Sequence, residues 1–377
     1  MFRRLSIATI VAVLLVTSLA PIAIGAEPTY KIGLVAPFTG QGSILGDYIK
    51  NSFVMAVDEI NAAGGVRGRK IDYVIYDDAA SPATSINVVT KAIVNDRVEA
   101  LFGPNMSSCV LAVHQVAWDN RVPMLVGATS PSFGYDRVGN PWLFRLRADD
   151  DVKVVNLVKY AVEVMKVKKP GIIHGSTDYC IVARDVAIRE FKKYGIDVVA
   201  AEQIKEGEKD ATGQLLKIKR AGADALIGLT HEPEAAVSVR QAKQLGLNVP
   251  IIGFSAWGVP AFTDLAGDAA IGVISVQGFT PEYKDPKVQE FVKKYQARWG
   301  QLPSDPAQAY YDGVYILAHV INQVGFDREA IRKGLETLKD FNGVQGKLTC
   351  DSKHNFTNFS LISRFKGDRW EIIDAIF

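Results

Sequence analysis

Apolar residues recur along this chain in two alternating rhythms. Short apolar runs such as Lys31-Ile32-Gly33-Leu34-Val35 alternate with longer stretches, such as Asp47 to Ala63, whose apolar positions fall three and four apart. The first rhythm suits a strand buried on both faces, the second a helix with one apolar face. Strands are predicted over 31–35, 71–75, 98–102 and 123–126, with helices over 47–63, 85–96 and 108–120. The alternation then restarts. Helices are predicted over 151–165, 181–194, 214–220 and 234–245, and strands over 171–174, 197–201, 225–229 and 250–254. Helices over 286–299, 305–323 and 328–338 and strand-like pieces over 346–349 and 359–365 close the chain. Strand–helix–strand order with short links is the pattern of parallel βαβ units. The expected fold class is α/β, with two doubly wound parallel-sheet lobes. Ligands bind beyond the carboxyl ends of such strands, so two facing edges make a cleft.

The first residues follow a different logic. Arg3 and Arg4 precede an apolar run from Leu5 to Ala20, and small residues lead to Ala26. That reads as a signal peptide over residues 1–26, cleaved after Ala26. No cysteine stands at the cleavage point, which argues against lipid attachment there. The remainder, roughly 350 residues, is long for one core and suits two. Lys and Arg number 43 against 41 Asp and Glu, and this balance offers no large field for nucleic acid or a membrane surface. The three cysteines, Cys109, Cys180 and Cys350, are an odd count that leaves at least one thiol free, which argues against a disulfide scaffold, and no pair has zinc-ligand spacing. Cys109 follows Ser107-Ser108, and Cys180 follows Tyr179. They are expected to face each other across the cleft, with all three thiols reduced.

Several constellations invite chemistry. Gly40-Gln41-Gly42-Ser43-Ile44-Leu45-Gly46 is similar to a dinucleotide-binding turn, but its last gap is one residue too long and Asp78 lies too far on to hold a ribose. Gly253-Phe254-Ser255-Ala256-Trp257 starts like a nucleophile elbow, yet Trp257 stands where the sharp turn requires glycine. A hydrolase would need His231 or His354 as base and Asp264 as orienter. Gly103-Pro104-Asn105-Met106-Ser107-Ser108 puts two hydroxyls at the mouth of a helix. There they can cap it or help its free N–H groups hold an anion. Gly127-Ala128-Thr129-Ser130, after the next strand, adds another hydroxyl and more backbone amides.

The run KIGLVAPFTGQGSILGDYIKNSFVMAVDEINAAGGVRGRKIDYVIYDD, followed in order by GPNMSS, VPMLVGATSP, HGSTDYCIVARD and RQAKQLGLNVPIIG, resembles the leucine/isoleucine/valine-binding proteins. These are type I periplasmic solute-binding proteins of ABC importers. The resemblance implies two lobes joined by three crossover segments. Residues 29–147 with 278–357 would form lobe 1, and 148–277 with 358–377 lobe 2. It implies a ligand carboxylate held by Ser107, Ala128 and Thr129, with Ser108 and Gly127 as neighbours, and an aromatic contact from Tyr179. Three positions depart from the pattern. His231 stands for a second tyrosine, Ser255 for the acidic residue that neutralises an α-ammonium, and Leu45 for an aromatic. Ala80 and Met106 replace the cysteines of a disulfide found in some members.

The resulting expectation is a monomeric receptor in the periplasm that performs no catalysis and uses no cofactor or metal. It would bind a small carboxylate ligand and deliver it to a membrane permease, without nucleic acid. The ligand would be a branched-chain or other apolar amino acid, with Glu232 or Glu234 substituting for the missing anion. The alternative is an aromatic acid without an ammonium, walled by Tyr179 and Trp257. A serine hydrolase using Ser255 and a signalling sensor domain are the competing classes.

Overall fold

The computed structural model describes residues 29–40, 42–344, 346–357 and 359–376. The expected signal peptide lies outside these residues.

The first half runs β1 (Tyr30–Ala36), α1 (Gly46–Ala62), β2 (Ile71–Asp77), α2 (Pro82–Thr90), β3 (Ala100–Phe102), α3 (Ser107–Asp119), β4 (Met124–Val126), α4 (Tyr135–Val138) and β5 (Leu143–Arg145). Its five strands form a parallel sheet in the order β2-β1-β3-β4-β5. The second half runs α5 (Asp150–Lys159), β6 (Pro170–His174), α6 (Asp178–Lys193), β7 (Ala200–Gln203), α7 (Thr212–Arg220), β8 (Ala225–Leu229), α8 (Glu232–Gln244), β9 (Ile251–Gly253), α9 (Pro260–Ala266) and β10 (Ile274–Gln277). The chain then returns to the first sheet with α10 (Pro286–Trp299), α11 (Asp305–Val324), α12 (Arg328–Glu336) and the hairpin β11 (Phe341–Gly343) and β12 (Gly346–Leu348). It ends on the second sheet with β13 (Ser360–Phe365) and β14 (Trp370–Ile376).

Both sheets are buried on two faces, as unbroken apolar strands demand. Ile32 and Leu34 of β1 pack among Phe53 of α1, Phe291 of α10 and Leu317 of α11. Val35 joins Val89 of α2 and Val110 of α3 on the other side. In the second sheet Ile172 and Ile227 meet Leu157 and Phe191 of α5 and α6. Their neighbours Ile173 and Leu226 meet Leu215, Val239 and Phe262 of α7, α8 and α9. This is the period-2 alternation of side chains in strands.

Two stretches where the chain passes between the sheets, around Arg145 and around Asn355, lie side by side. Arg145 N–H donates to the His354 carbonyl at 2.8 Å, and Phe356 N–H donates to the Arg145 carbonyl at 3.0 Å. The Arg145 guanidinium, 2 % exposed, bonds Asp149, Asn355 and the Ser130 carbonyl at 2.7 Å each.

The second sheet is not wholly parallel: β13 runs antiparallel to both β10 and β14. Neither β10 nor β14 was expected, and the short elements β5, α9 and β11 were also missed. β10 shows only Ile-Ser-Val-Gln, and β14 is offset by a register shift in its partner at Ile362/Ser363. The strand expected over 197–201 is an edge strand three residues later, β7, whose residues alternate between half-buried and exposed.

Trp257 is 0 % exposed, lies against Gly228 and Gly253, and donates from Nε1 to Thr230 Oγ1 at 3.1 Å. A Cβ on either glycine would overlap the indole. Gly228→Ala should therefore cost about 1–3 kcal/mol by overpacking, read as a lower urea midpoint. An unchanged midpoint would mean the ring can move aside.

Candidate functional site

The loops after β3 and β4 meet those after β6, β8 and β9 at one cavity. The first half contributes Leu45, Asn105, Met106, Ser107 and Thr129, and Pro306 comes from α11. Arg147 enters from the first crossover, and the second half adds Tyr179, His231, Glu232, Ser255, Ala256 and Val259. The free space is about 30 Å³, enough for the centres of a few waters. The halves are closed on each other, and Ser132 Oγ donates across the gap to Asp178 Oδ2 at 2.8 Å.

Of the expected site residues, Ser107, Thr129, Tyr179, His231 and Ser255 line this cavity, while Ser108, Gly127 and Ala128 do not. The serine pair is not a helix cap. Ser107 is the first residue of α3, the preceding position is Met106, and no side chain caps this end. Instead Ser107 Oγ accepts from Ser130 N–H at 3.3 Å, tying the two loops together. Gly127 works from behind: its N–H donates to the Tyr310 hydroxyl and its carbonyl accepts from Arg147 Nη1 at 3.1 Å. Ala128 is core. Trp257 is behind the site, not in its wall, because its ring is spent covering the two glycines. Cys109 and Cys180 do not face each other across the cleft. Cys180 packs in the core of the second half, Cys109 is buried beside Asp78 and Ser85 of the first, and all three cysteines are free.

Tyr179 stacks between His231, with centroids 4.9 Å apart, and Phe254, 4.6 Å apart. His231 Nε2 pairs with Thr177 Oγ1 at 3.1 Å. The protein packed around His231 pushes its pKa down to about 4, so it is neutral at physiological pH. Ser255 Oγ accepts from Lys153 Nζ at 2.9 Å. Lys153 in turn ion-pairs with Asp150 at 3.0 Å, both side chains 0 % exposed. This is no hydrolase triad. His354 is stacked between Tyr135 and Phe144, with Nδ1 on the Leu143 carbonyl, and Asp264 is outside the lining.

Two charged groups reach the cavity. Arg147 donates from Nε and Nη2 to Asp305 Oδ2 at 3.2 and 2.8 Å. With the bond to Gly127, three of its five N–H donors are used among the described residues. Glu232, first residue of α8, is 4 % exposed. Among the described residues its carboxylate has no side-chain partner. Burial pushes its pKa up to about 7, Glu234 adds to this, and its own N–H and Arg147 oppose it. Glu234 instead accepts from Gly207 N–H at 2.8 Å and is outside the lining.

Sequence reasoning missed Arg147, Asp150, Lys153 and Asp305. The available signal was the charge-dense run Arg145 to Lys153 at the first crossover. Such a run ordinarily reads as a solvated face, yet Arg145, Arg147, Asp149, Asp150 and Lys153 are all buried.

A family model described as periplasmic binding protein matches residues 29–363. A leucine-, isoleucine-, valine-, threonine- and alanine-binding protein of Pseudomonas aeruginosa is 31% identical over 340 residues, 89% of each chain. Among solved structures, a branched-chain amino acid transporter substrate-binding protein of Streptococcus pneumoniae in complex with isoleucine aligns with TM-score 0.84 at 26% identity, covering 92% of this chain and 99% of that one. A solute-binding protein of an ABC transporter from Rhodopseudomonas palustris in complex with 3,4-dihydroxybenzoic acid has the same TM-score, 0.84, at 22% identity, covering 92% and 97%. This chain belongs to the periplasmic binding protein family. It is a solute receptor that binds a small molecule and works with the permease of an ABC transporter; its task is binding, not catalysis.

Glu232 makes stability pH-dependent. A carboxyl with a folded pKa near 7 and an ordinary value of 4.5 holds a proton that the unfolded chain has already lost. Its contribution therefore falls as pH rises from 4.5 through 7, by on the order of 3 kcal/mol. The stability of Glu232→Gln minus that of the ligand-free parent should grow across this window, measured by denaturant unfolding at several pH values. A difference constant with pH would show that Glu232 titrates normally.

Proposed function

We propose that this receptor captures an amino acid with an apolar side chain. The observation that carries the reading is the composition of the cavity. Hydroxyls of Ser107 and Thr129 and the unused N–H groups of Arg147 suit a carboxylate. Leu45, Met106, Tyr179, Val259 and Pro306 give an apolar wall for a side chain. The amino-acid ligands named for the Pseudomonas and Streptococcus relatives support it.

Residues 29–147 with 278–357 would move as one lobe and 148–277 with 358–377 as the other, hinging at the three crossovers. Export would follow cleavage of residues 1–26, and the receptor would act in the periplasm as a monomer.

A second reading is an aromatic acid without an ammonium. The Tyr179–His231 stack and the neutral Ser255 favour it. A thermal-shift panel of leucine, isoleucine, valine and phenylalanine against benzoate- and cinnamate-type acids separates the two. The main reading expects stabilisation by at least one amino acid and none by the ring acids; the reverse pattern contradicts it.

Ser107→Ala and Thr129→Val should each weaken amino-acid binding by about 1.5–3 kcal/mol, since each removes a hydrogen bond to a buried charge. Calorimetric affinities unchanged in both variants would take these hydroxyls out of the site.

A further inference from the structure

Resting on the amino-acid reading above, we propose that Glu232 is the group that neutralises the ligand's α-ammonium, and that it thereby selects zwitterions over simple acids. The position where the family resemblance implies an anion, residue 255, is closed to a cation. Ser255 Oγ is occupied by Lys153 Nζ at 2.9 Å, and Lys153 has 0 % exposure. An ammonium placed against Ser255 would meet the buried Lys153 ammonium, and like charges repel strongly away from bulk water.

The charges around the cavity point to Glu232. Arg147 is cancelled by Asp305, at 2.8 Å, and Lys153 by Asp150, at 3.0 Å. His231, beside Glu232 in sequence, is neutral, and Tyr179 stays protonated because burial raises it. Glu234 on the same helix is held by Gly207 N–H, and Glu206 on the neighbouring loop lies near Glu234. Glu234 adds negative potential at Glu232, which does not favour an anion. Glu232 is thus left without an ion-pair partner among the described residues, since Arg147, which acts on it only from a distance, is held by Asp305, and an unpaired buried charge is costly. A ligand ammonium supplies that countercharge. A carboxylate lacking one would enter only with Glu232 protonated.

The pH dependence follows from the sign of this pairing. The ammonium requires ionised Glu232, whereas burial keeps the carboxyl of the ligand-free protein protonated up to about pH 7. Amino-acid affinity should therefore rise with pH by up to about tenfold per unit below 7 and level off above it. A deaminated analogue should show the opposite slope.

The test uses titration calorimetry with leucine and 4-methylpentanoate between pH 5.5 and 8.5, on the parent protein and Glu232→Gln. The expected result is leucine affinity that rises with pH in the parent and falls at least about 30-fold in the variant. Affinity for 4-methylpentanoate should be unchanged or higher in the variant. Leucine binding that is independent of pH in the parent, or equal in the two proteins, overturns the assignment and leaves the amino-acid reading standing. Circular dichroism shows whether the variant is folded; if it is not, the slope in the parent decides alone. A parent protein that binds 4-methylpentanoate but not leucine overturns the amino-acid reading itself.

Discussion

Closing two lobes over a small solute removes water from every charge at their junction, and each must then find a partner inside the protein. That constraint organises this cleft. Arg147 leaves the first crossover and is fixed to Asp305 at the start of α11 and to the Gly127 carbonyl. Lys153 pairs with Asp150 within α5 and reaches the turn after β9 through Ser255. These contacts are desolvated, so they matter less as net stability than as fixed geometry. They hold the loops after β4 and β9 at set distances from the crossovers. What remains is a cavity of hydroxyls, apolar walls and one carboxylate, Glu232.

The fold makes this arrangement possible. Parallel strands deliver their carboxyl ends to one edge, and helices α3, α6 and α8 begin there. Their first N–H groups lack partners within the helix and carry partial positive charge. Because α3 has no capping side chain, Ser107 is free to knit its loop to Ser130. The bond from Ser132 to Asp178 joins one half to the other. It would break when the halves separate, whereas the crossovers, fastened through Arg145 and Asn355, could stay together as a hinge.

Much of the fold was legible in the sequence because long apolar runs and helical spacing are strong signals. The runs 225–229 and 286–299 emerged as β8 and α10 with the expected bounds. Elements of three or four residues, such as β5 and β10, carry too little pattern to be seen and take their shape from neighbouring strands. At the site, loops following strands led to Ser107, Thr129, His231 and Ser255 and the family resemblance to Tyr179, all in the lining, but the same loops also led to Ser108, Gly127 and Ala128, which are not. The buried charges were illegible for a physical reason: local sequence cannot distinguish a solvated charge from one paired across 158 residues, as Arg147 is with Asp305. Trp257 misled in the opposite way. An aromatic after a strand suggests a ligand wall, but its neighbours in space are two glycines whose missing side chains it replaces.

The central claim is that the bound solute supplies a positive charge to Glu232. The most direct measurement counts the protons exchanged on binding, from calorimetric heats of leucine binding in two buffers of different ionisation enthalpy. With the Glu232 carboxyl near pH 7 in the ligand-free protein and ionised in the complex, close to one proton should be released at pH 6 and almost none at pH 8. Proton uptake at pH 6, or no exchange at either pH, would contradict the account.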